Sequence, residues 1–183
     1  SIEPNLINDY VISVFKKSNK WVNHLHIPLQ SGSDNILKSM KRRYDTKLYK
    51  NKILKLKKIF PDLCIGVDVI VGFPGETDED FNLTYNFIKE IDVSYLHVFT
   101  YSRRENTKAD KFENQIDNKV KKARRIILQK LSEYKYKNFI NKNINNVREV
   151  LFENFENGFL SGLSDNYLKV YVPGNKKYIN TIQ

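Results

Sequence analysis

Polar side chains occur at or near the ends of four apolar segments, and their residue types suit the hydroxyl groups of a sugar. They are Glu3, then Gln30 with Ser31, then Asp68, and then Tyr101 with Ser102. If the segments are parallel strands of one sheet, all four groups point to one rim, where α/β proteins place ligands. A carboxylate or amide at that rim can bind sugar hydroxyls, as in other nucleotide folds. Each residue alone is compatible with a turn or cap, but four in register predict a ligand site.

Residues 66–81 (GVDVIVGFPGETDEDF) have the strongest local pattern in the chain. The β-branched run from Asp68 predicts a strand buried on both faces. Pro74 and Gly75 then force a turn, and Thr77 is placed to cap a helix with an acidic first turn. The acidic helix start argues against an ordinary barrel enzyme that uses this turn to bind phosphate.

Apolar periodicity predicts further helices and strands on both sides of this segment. In chain order we expect a helix within 5–18, a strand at 24–29, helices at 35–40 and 46–60, the strand and helix of 66–91, a strand at 95–101 and a long helix at 117–141. Strands alternate with helices, and crossovers of this length pair strands in parallel. The pattern predicts an α/β fold, as part of a (β/α) barrel or an open sheet.

The long helix carries both an apolar and a basic pattern. Its buried face is predicted from apolar residues at helical spacing, namely Val120, Ala123, Ile127, Leu131 and Tyr134. Its basic stretch, residues 119–125 (KVKKARR), is interpreted most simply as the solvated face. With residues 41–43 (KRR) and 103–104 (RR), this stretch could instead form an RNA-facing surface.

Beyond residue 145 the pattern changes to short strands with hairpin turns, such as the one at Asn157 and Gly158. We therefore expect a domain boundary near residue 145, with one domain over 1–145 and a small β module over 146–183. Phe159, Tyr167 and Tyr171 in this module could stack on bases or could form its core.

Composition limits the classes to which the chain can belong. It has 183 residues, a formal charge of +10 and one cysteine, Cys64. The charge suggests a polyanionic partner, although solvated lysines explain it equally well. A single cysteine excludes an internal disulfide framework and a cysteine-only metal site within the chain. No apolar stretch approaches the ~20 residues needed to span a bilayer, and the first residues lack the pattern of a signal peptide, so we expect a cytoplasmic protein without membrane contact. The chain opens on Ser1 rather than Met, and we treat it as a fragment of something longer.

Three histidines lie inside predicted strands. His24 and His26 share a face, which makes a metal pair conceivable, but no third ligand of matching spacing accompanies them. The favoured interpretation is that these two histidines and His97 are structural residues, with their hydrogen bonds satisfied in the core or at the rim.

Three motifs in order resemble a known family. They are HIPLQSGSDNILKSMKRRYD, GVDVIVGFPGETDEDF and YLHVFTYSRRENTKA. They look like the second half of the radical S-adenosylmethionine (SAM) domain of the methylthiotransferase family, and residues 147–183 resemble the beginning of its TRAM RNA-binding module. The resemblance implies an α/β fold: the C-terminal half of a partial (β/α) barrel with parallel strands, followed by a truncated antiparallel β module.

Within the family, the chain looks most like the enzymes that convert N6-threonylcarbamoyladenosine, next to the anticodon of tRNA, to its 2-methylthio derivative at C2. Sibling enzymes act on N6-isopentenyladenosine in tRNA or on a ribosomal protein. The resemblance also implies five SAM-binding residues. Glu3 and Gln30 match strand-end positions near the methionine or ribose, Arg42 suits the methionyl carboxylate, Asp68 matches a ribose contact, and Ser102 lies beside the adenine.

The family's CxxxCxxC motif, which holds a 4Fe-4S cluster, is absent from the chain, and Cys64 cannot replace it. The resemblance therefore implies SAM and 4Fe-4S cofactors, with the cluster ligands outside this chain, and no metal ligands or catalytic residues inside it. The implied partners are a tRNA anticodon stem-loop and an electron donor, and we expect a monomer. By itself the chain is expected to be inactive. The alternative from another class is a non-catalytic RNA-binding protein that has lost its catalytic half.

Overall fold

The computed structural model of the chain describes residues 1–105 and 107–183. Its elements, in chain order, are α1 (Asp9–Lys17), β1 (His24–His26), α2 (Asp34–Ser39), α3 (Thr46–Ile59), β2 (Cys64–Val71), α4 (Asp78–Glu90), β3 (Tyr95–Thr100), α5 (Asn118–Asn143), β4 (Val150–Glu156), β5 (Phe159–Ser164), β6 (Lys169–Pro173) and β7 (Thr181–Ile182). β1, β2 and β3 form a parallel sheet in that order. β6, β5, β4 and β7 form a separate antiparallel sheet. The predicted fold class is confirmed. Within the described residues, no helix combines the length and apolar character needed to cross a membrane.

One face of the parallel sheet is packed and the other is open. Val67, Val69 and Val71 of β2 are buried in a core shared with α3, α4 and α5, while Asp68 and Ile70 point to the opposite face and are half-buried. The prediction of burial on both faces is wrong for Asp68 and Ile70, whereas residues 64–67 are buried throughout. Among the described residues, the helices of this core pack against the Val67 face, and Asp68 and Ile70 line the open side of the sheet toward the carboxyl end of the strand.

The turn after β2 and the start of α4 follow the predicted capping chemistry. Thr77 Oγ1 accepts from the Asp80 N–H at 3.1 Å, and Asp80 Oδ2 accepts from the Thr77 N–H at 3.1 Å. This reciprocal capping box satisfies two free donors at the start of the helix. Asp80 also accepts from Ser33 Oγ at 2.6 Å, which ties the start of α2 to α4.

Of the five residues predicted for the buried face of α5, Leu131 alone is buried. Val120, Ala123, Ile127 and Tyr134 are exposed, whereas the buried residues are Lys121, Arg124, Leu128, Leu131, Lys135 and Phe139. The basic stretch is therefore only partly solvated. The physical reason is that α5 crosses carbonyl and carboxylate groups at the edge of the sheet. Lys135 Nζ donates to Ile91 O at 2.7 Å, just beyond α4, and Lys121 Nζ donates to Tyr101 O at 3.3 Å.

The antiparallel sheet has a small core of its own and a polar contact with the rest of the chain. Val150, Phe152 and Leu160 are buried, whereas Phe159 and Tyr171 are exposed. At the junction, the fully buried Asn166 donates to Asn143 Oδ1 at 2.7 Å, and Arg148 pairs with Asp62 at 2.8 Å. A boundary near residue 145 falls between α5 and β4 and stays a prediction.

Gly32 lies where the turn after β1 packs directly on α4. A Cβ at this position would be 2.7 Å from the Thr84 Cα and 3.0 Å from the Phe87 Cβ. Because backbone must move to admit a methyl group, Gly32→Ala is expected to lower the free energy of unfolding by about 1–3 kcal/mol. Urea denaturation measures this change. Ser39→Ala, at an exposed position of α2, is the control, and equal midpoints for the two variants would contradict the close packing at Gly32.

Candidate functional site

A cavity of about 590 Å³ lies over the open face of the parallel sheet, toward the carboxyl ends of β2 and β3. Its volume lies in the range typical of small-molecule sites. Three of the five residues predicted to bind a ligand line it together, namely Gln30, Asp68 and Ser102. The remaining lining residues are Ile70, Phe99, Thr100, Tyr101, Arg104, Thr107 and Ala109.

Gln30 enters the cavity from a strained backbone position just beyond β1. Its φ of 69° is in the left-handed region, which a glutamine rarely adopts. Two hydrogen bonds to β2 hold it there: Gln30 N donates to Asp68 O at 2.8 Å, and Gln30 O accepts from Ile70 N at 2.9 Å. A non-glycine residue kept in this conformation is typical of positions where the fold orients a functional side chain.

Asp68 lies in the middle of β2, so the expectation that all the polar groups share one rim is wrong for this residue. It projects from the open face of the sheet instead. Its Oδ1 lies 2.9 Å from His26 Nε2, and about a quarter of each side chain is exposed. Within the described residues, the second carboxylate oxygen has no hydrogen-bond partner. Asp68 is therefore oriented by one oxygen and can bind a ligand hydroxyl with the other.

Tyr101 has a buried hydroxyl that has no hydrogen-bond partner in the described part of the chain. A buried donor without a partner costs about 1–3 kcal/mol, so a polar ligand group at this point would be favourable. The Tyr101 ring packs edge-on against Phe73 of the turn after β2, with centroids 5.3 Å apart. Ser31, which was expected at the rim, lies away from the cavity: it is fully buried, with Oγ 3.2 Å from Thr84 Oγ1.

Arg42 and Glu3 lie next to each other at one side of this site. Arg42 Nη1 donates to Glu3 Oε1 at 3.5 Å. Arg42 lines a second cavity of about 360 Å³, and Ile70, Tyr101 and Ala109 line both cavities. Glu3 lines neither of these two cavities. It lies beside the end of β1, because Ile2 N donates to His26 O at 3.0 Å, and it contacts the site through Arg42.

The histidines make hydrogen bonds and ring contacts. His24 Nε2 lies 2.9 Å from the Tyr95 hydroxyl, and burial lowers the pKa of His24, which favours a neutral ring. His26 is held by Asp68 and lies edge-on to His97. Across residues 1–105 and 107–183 there is no cluster of three potential metal ligands.

Two features of the site have little signal in the sequence. Arg104 lines the larger cavity, and only its membership of a basic pair pointed to it. The turn after β2 is held by an ion pair between Glu76, 2% exposed, and Arg124, 5% exposed, with 2.6 Å between Arg124 Nη1 and Glu76 Oε2. Glu76 also accepts from the Gly72 N–H at 2.7 Å. These two residues are 48 positions apart, so local patterns do not reveal the pair.

Known proteins resemble the chain in sequence and in fold. Residues 1–88 match the radical SAM superfamily. The threonylcarbamoyladenosine tRNA methylthiotransferase MtaB of Bacillus subtilis is 46% identical over 100% of this chain and 42% of its own length. The tRNA-2-methylthio-N(6)-dimethylallyladenosine synthase of Endomicrobium trichonymphae is 38% identical over 96% of this chain and 42% of its own length.

A solved structure shares the fold. Coproporphyrinogen III oxidase (HemN) from Escherichia coli aligns with a TM-score of 0.58 and 21% identity, over 73% of this chain and 30% of the oxidase. The chain spans about 42% of the length of the two methylthiotransferase relatives described above. Residues 1–88 therefore match the radical SAM superfamily, and the chain is similar over nearly its full length to tRNA methylthiotransferases.

Proposed function

We propose that this chain is the C-terminal part of a tRNA methylthiotransferase that modifies N6-threonylcarbamoyladenosine at C2, next to the anticodon. The observation that carries the cofactor assignment is the cavity in which Gln30, Asp68, Ser102 and the unpartnered Tyr101 hydroxyl meet. The choice of nucleoside is supported by the identity of 46% with the threonylcarbamoyladenosine enzyme of Bacillus subtilis, against 38% with the dimethylallyladenosine enzyme of Endomicrobium trichonymphae.

In this proposal the chain supplies the residues that bind and orient SAM. Asp68 accepts from a ribose hydroxyl, since one of its oxygens is already held by His26. Gln30 contacts the same part of the ligand, and Ser102 lies beside the adenine. Arg42 binds the methionyl carboxylate with its planar guanidinium, which Glu3 holds in place.

The residues of this chain do not fit a 4Fe-4S cluster. Its one cysteine, Cys64, is buried within β2, and burial raises the pKa of the thiol to about 11. A cluster ligand must be a thiolate, and Cys64 stays protonated at neutral pH. Cluster ligation is therefore assigned to residues outside the chain.

The RNA substrate is supported by charge and by the small β module. The chain carries a formal charge of +10, and the exposed face of β5 and β6 presents Phe159, Lys169 and Tyr171. Basic and aromatic side chains on one sheet face are typical of surfaces that bind single-stranded RNA. We assign residues 146–183 to a truncated TRAM module on this basis, and residues 1–145 to the partial radical SAM domain.

Nucleoside analysis tests the proposal. A strain that lacks the gene for the full-length protein is expected to lose 2-methylthio-N6-threonylcarbamoyladenosine from digested tRNA, as measured by mass spectrometry, and to keep the dimethylallyl-derived nucleoside. Reintroducing the gene should restore the modification. Loss of the dimethylallyl derivative alone would instead assign methylthiolation of dimethylallyladenosine to the protein. Unchanged levels of both nucleosides would contradict the proposal that it is a tRNA methylthiotransferase.

A further inference from the structure

A third cavity, which we call the aromatic cavity, lies apart from the proposed cofactor site. It has a volume of about 400 Å³ and is lined by Tyr95, His97, Ser132, Glu133, Tyr136 and Tyr167. None of these residues lines the cavity that contains Asp68. The aromatic cavity is bordered by the edge strand β3, by α5 and by the loop between β5 and β6, so three separate parts of the chain form it.

Tyr167 presents a flat surface to this cavity. One face of its ring stacks on His24, with centroids 4.1 Å apart and an interplanar angle of 15°. The residue is 45% exposed and lines the cavity, so the ring keeps an accessible surface. Tyr95 stands nearly perpendicular to Tyr136, with centroids 6.4 Å apart, and closes another side. A planar group that enters here can extend the stack of His24 and Tyr167 while it contacts the Tyr95 and Tyr136 rings.

The backbone holds Tyr167 in this position at an energetic cost. Its φ of 68° is in the left-handed region, which costs a non-glycine residue about 1–2 kcal/mol. The conformation is held by Tyr167 N, which donates to Ser164 O at 2.9 Å, and by the neighbouring Asn166, which is fully buried at the junction of the two sheets. A strained residue that the surrounding structure fixes is a reason to look for function. A ring already held in place loses little conformational entropy when a ligand binds.

The charges around the cavity suit a nucleotide. Glu133 at the rim can accept from an exocyclic amino group of a base. Lys130 and Lys137 are exposed on α5 on either side of Glu133. Lysines of this kind can contact the phosphates on either side of a base while the aromatic rings contact the base itself.

We propose that this cavity binds an unpaired base of the RNA substrate, at a nucleotide other than the one that reacts, by stacking it on Tyr167. The inference rests on the proposed function, because that function supplies RNA as the ligand. It adds a second point of attachment, at the junction between the α/β unit and the small β sheet. The two attachment points would set the distance and orientation of the RNA loop relative to the cofactor cavity.

The test uses Tyr167→Asn in the full-length protein. Asparagine tolerates the left-handed backbone better than tyrosine, so this variant removes the ring without adding strain. The dissociation constant for a fluorescent anticodon stem-loop RNA, measured by anisotropy, is expected to rise about 5- to 100-fold, which corresponds to the loss of one stacked base. Tyr167→Phe keeps the ring and should bind like the wild type. Tyr134→Asn, at an exposed position of α5 outside the cavity, is the matched control.

The outcomes separate this site from the proposed function. If Tyr167→Asn and the wild type bind the stem-loop equally well, the stacking site is wrong while the RNA function stands. If Tyr167→Phe binds as weakly as Tyr167→Asn, stacking is not the interaction. If the wild type does not bind the stem-loop, the proposed function and the site fail together. Stem-loops with a single abasic nucleotide identify the bound base. Removing the base that stacks on Tyr167 should weaken RNA binding by the wild type but leave RNA binding by Tyr167→Asn unchanged.

Discussion

Replacing Arg124 by methionine is expected to lower the free energy of opening of the segment from β2 to α5 by about 3–5 kcal/mol. Arg124 donates to Glu76 Oε2 at 2.6 Å, to Glu76 O at 3.1 Å and to Asp78 Oδ1 at 2.7 Å. Without the guanidinium, the Glu76 carboxylate remains buried with the Gly72 N–H as its one other donor among the described residues. Such substitutions are costly because the remaining member of the buried pair keeps its charge without a partner.

The deficit of Arg124→Met should grow as pH rises. Burial raises the pKa of Glu76 above its ordinary value, and the Gly72 N–H and the Arg124 guanidinium oppose that shift. Removing Arg124 raises this folded-state pKa further. The folded variant then binds a proton that the unfolded chain has released, so its stability falls as pH rises through the folded-state pKa. The variant should be closest to the wild type under mildly acidic conditions.

Hydrogen exchange of peptides that cover β2, α4 and α5 measures the opening free energy. Glu76→Gln combined with Arg124→Met should regain most of the loss, because a neutral amide can still accept from Gly72 without a buried charge. Lys122→Met removes an exposed cation from the same helix and should change stability by less than about 0.5 kcal/mol. If Arg124→Met behaved like Lys122→Met, the buried pair would not stabilise the turn.

Replacing Asp68 by alanine is expected to weaken SAM binding about 10- to 100-fold. A hydrogen bond to a charged group contributes about 1.5–3 kcal/mol, which corresponds to that range of affinity. The side chain is half-buried at the edge of the cavity and is not part of the apolar core, so the domain should remain folded. Asp68→Asn keeps the shape and an oxygen for His26, and an intermediate loss is expected.

Calorimetric titration of SAM into the full-length protein measures this effect, and circular dichroism confirms that the variants are folded. Glu79→Ala removes an exposed carboxylate from the first turn of α4, outside the cavity, and should bind SAM like the wild type. Equal affinities for Asp68→Ala and Glu79→Ala would contradict the proposed role of Asp68 in binding ribose.

The amino-acid sequence by itself determined the order of the elements and their local ends. β-branched runs, Pro74 with Gly75, and the cap at Thr77 act over a few residues, and the structure has this turn and helix start where they were predicted. The change from helices to short strands after residue 145 is likewise local. Three motifs in chain order were also enough to recognise the resemblance to the radical SAM superfamily, because each motif adds to the total sequence similarity.

Only the tertiary structure decided which faces of these elements are buried. α5 turns Lys121, Arg124 and Lys135 inward, because these side chains donate hydrogen bonds to distant carbonyls and to the Glu76 carboxylate. Hydrophobic periodicity contains no information about such polar partners. Asp68 faces an open cavity because the helices of the core pack against the Val67 face of the sheet. The stack of Tyr167 on His24 joins residues 143 positions apart and depends on a strained backbone that no local pattern indicates. Such long-range pairings follow from how whole elements pack against each other, whereas local signals extend over only a few residues.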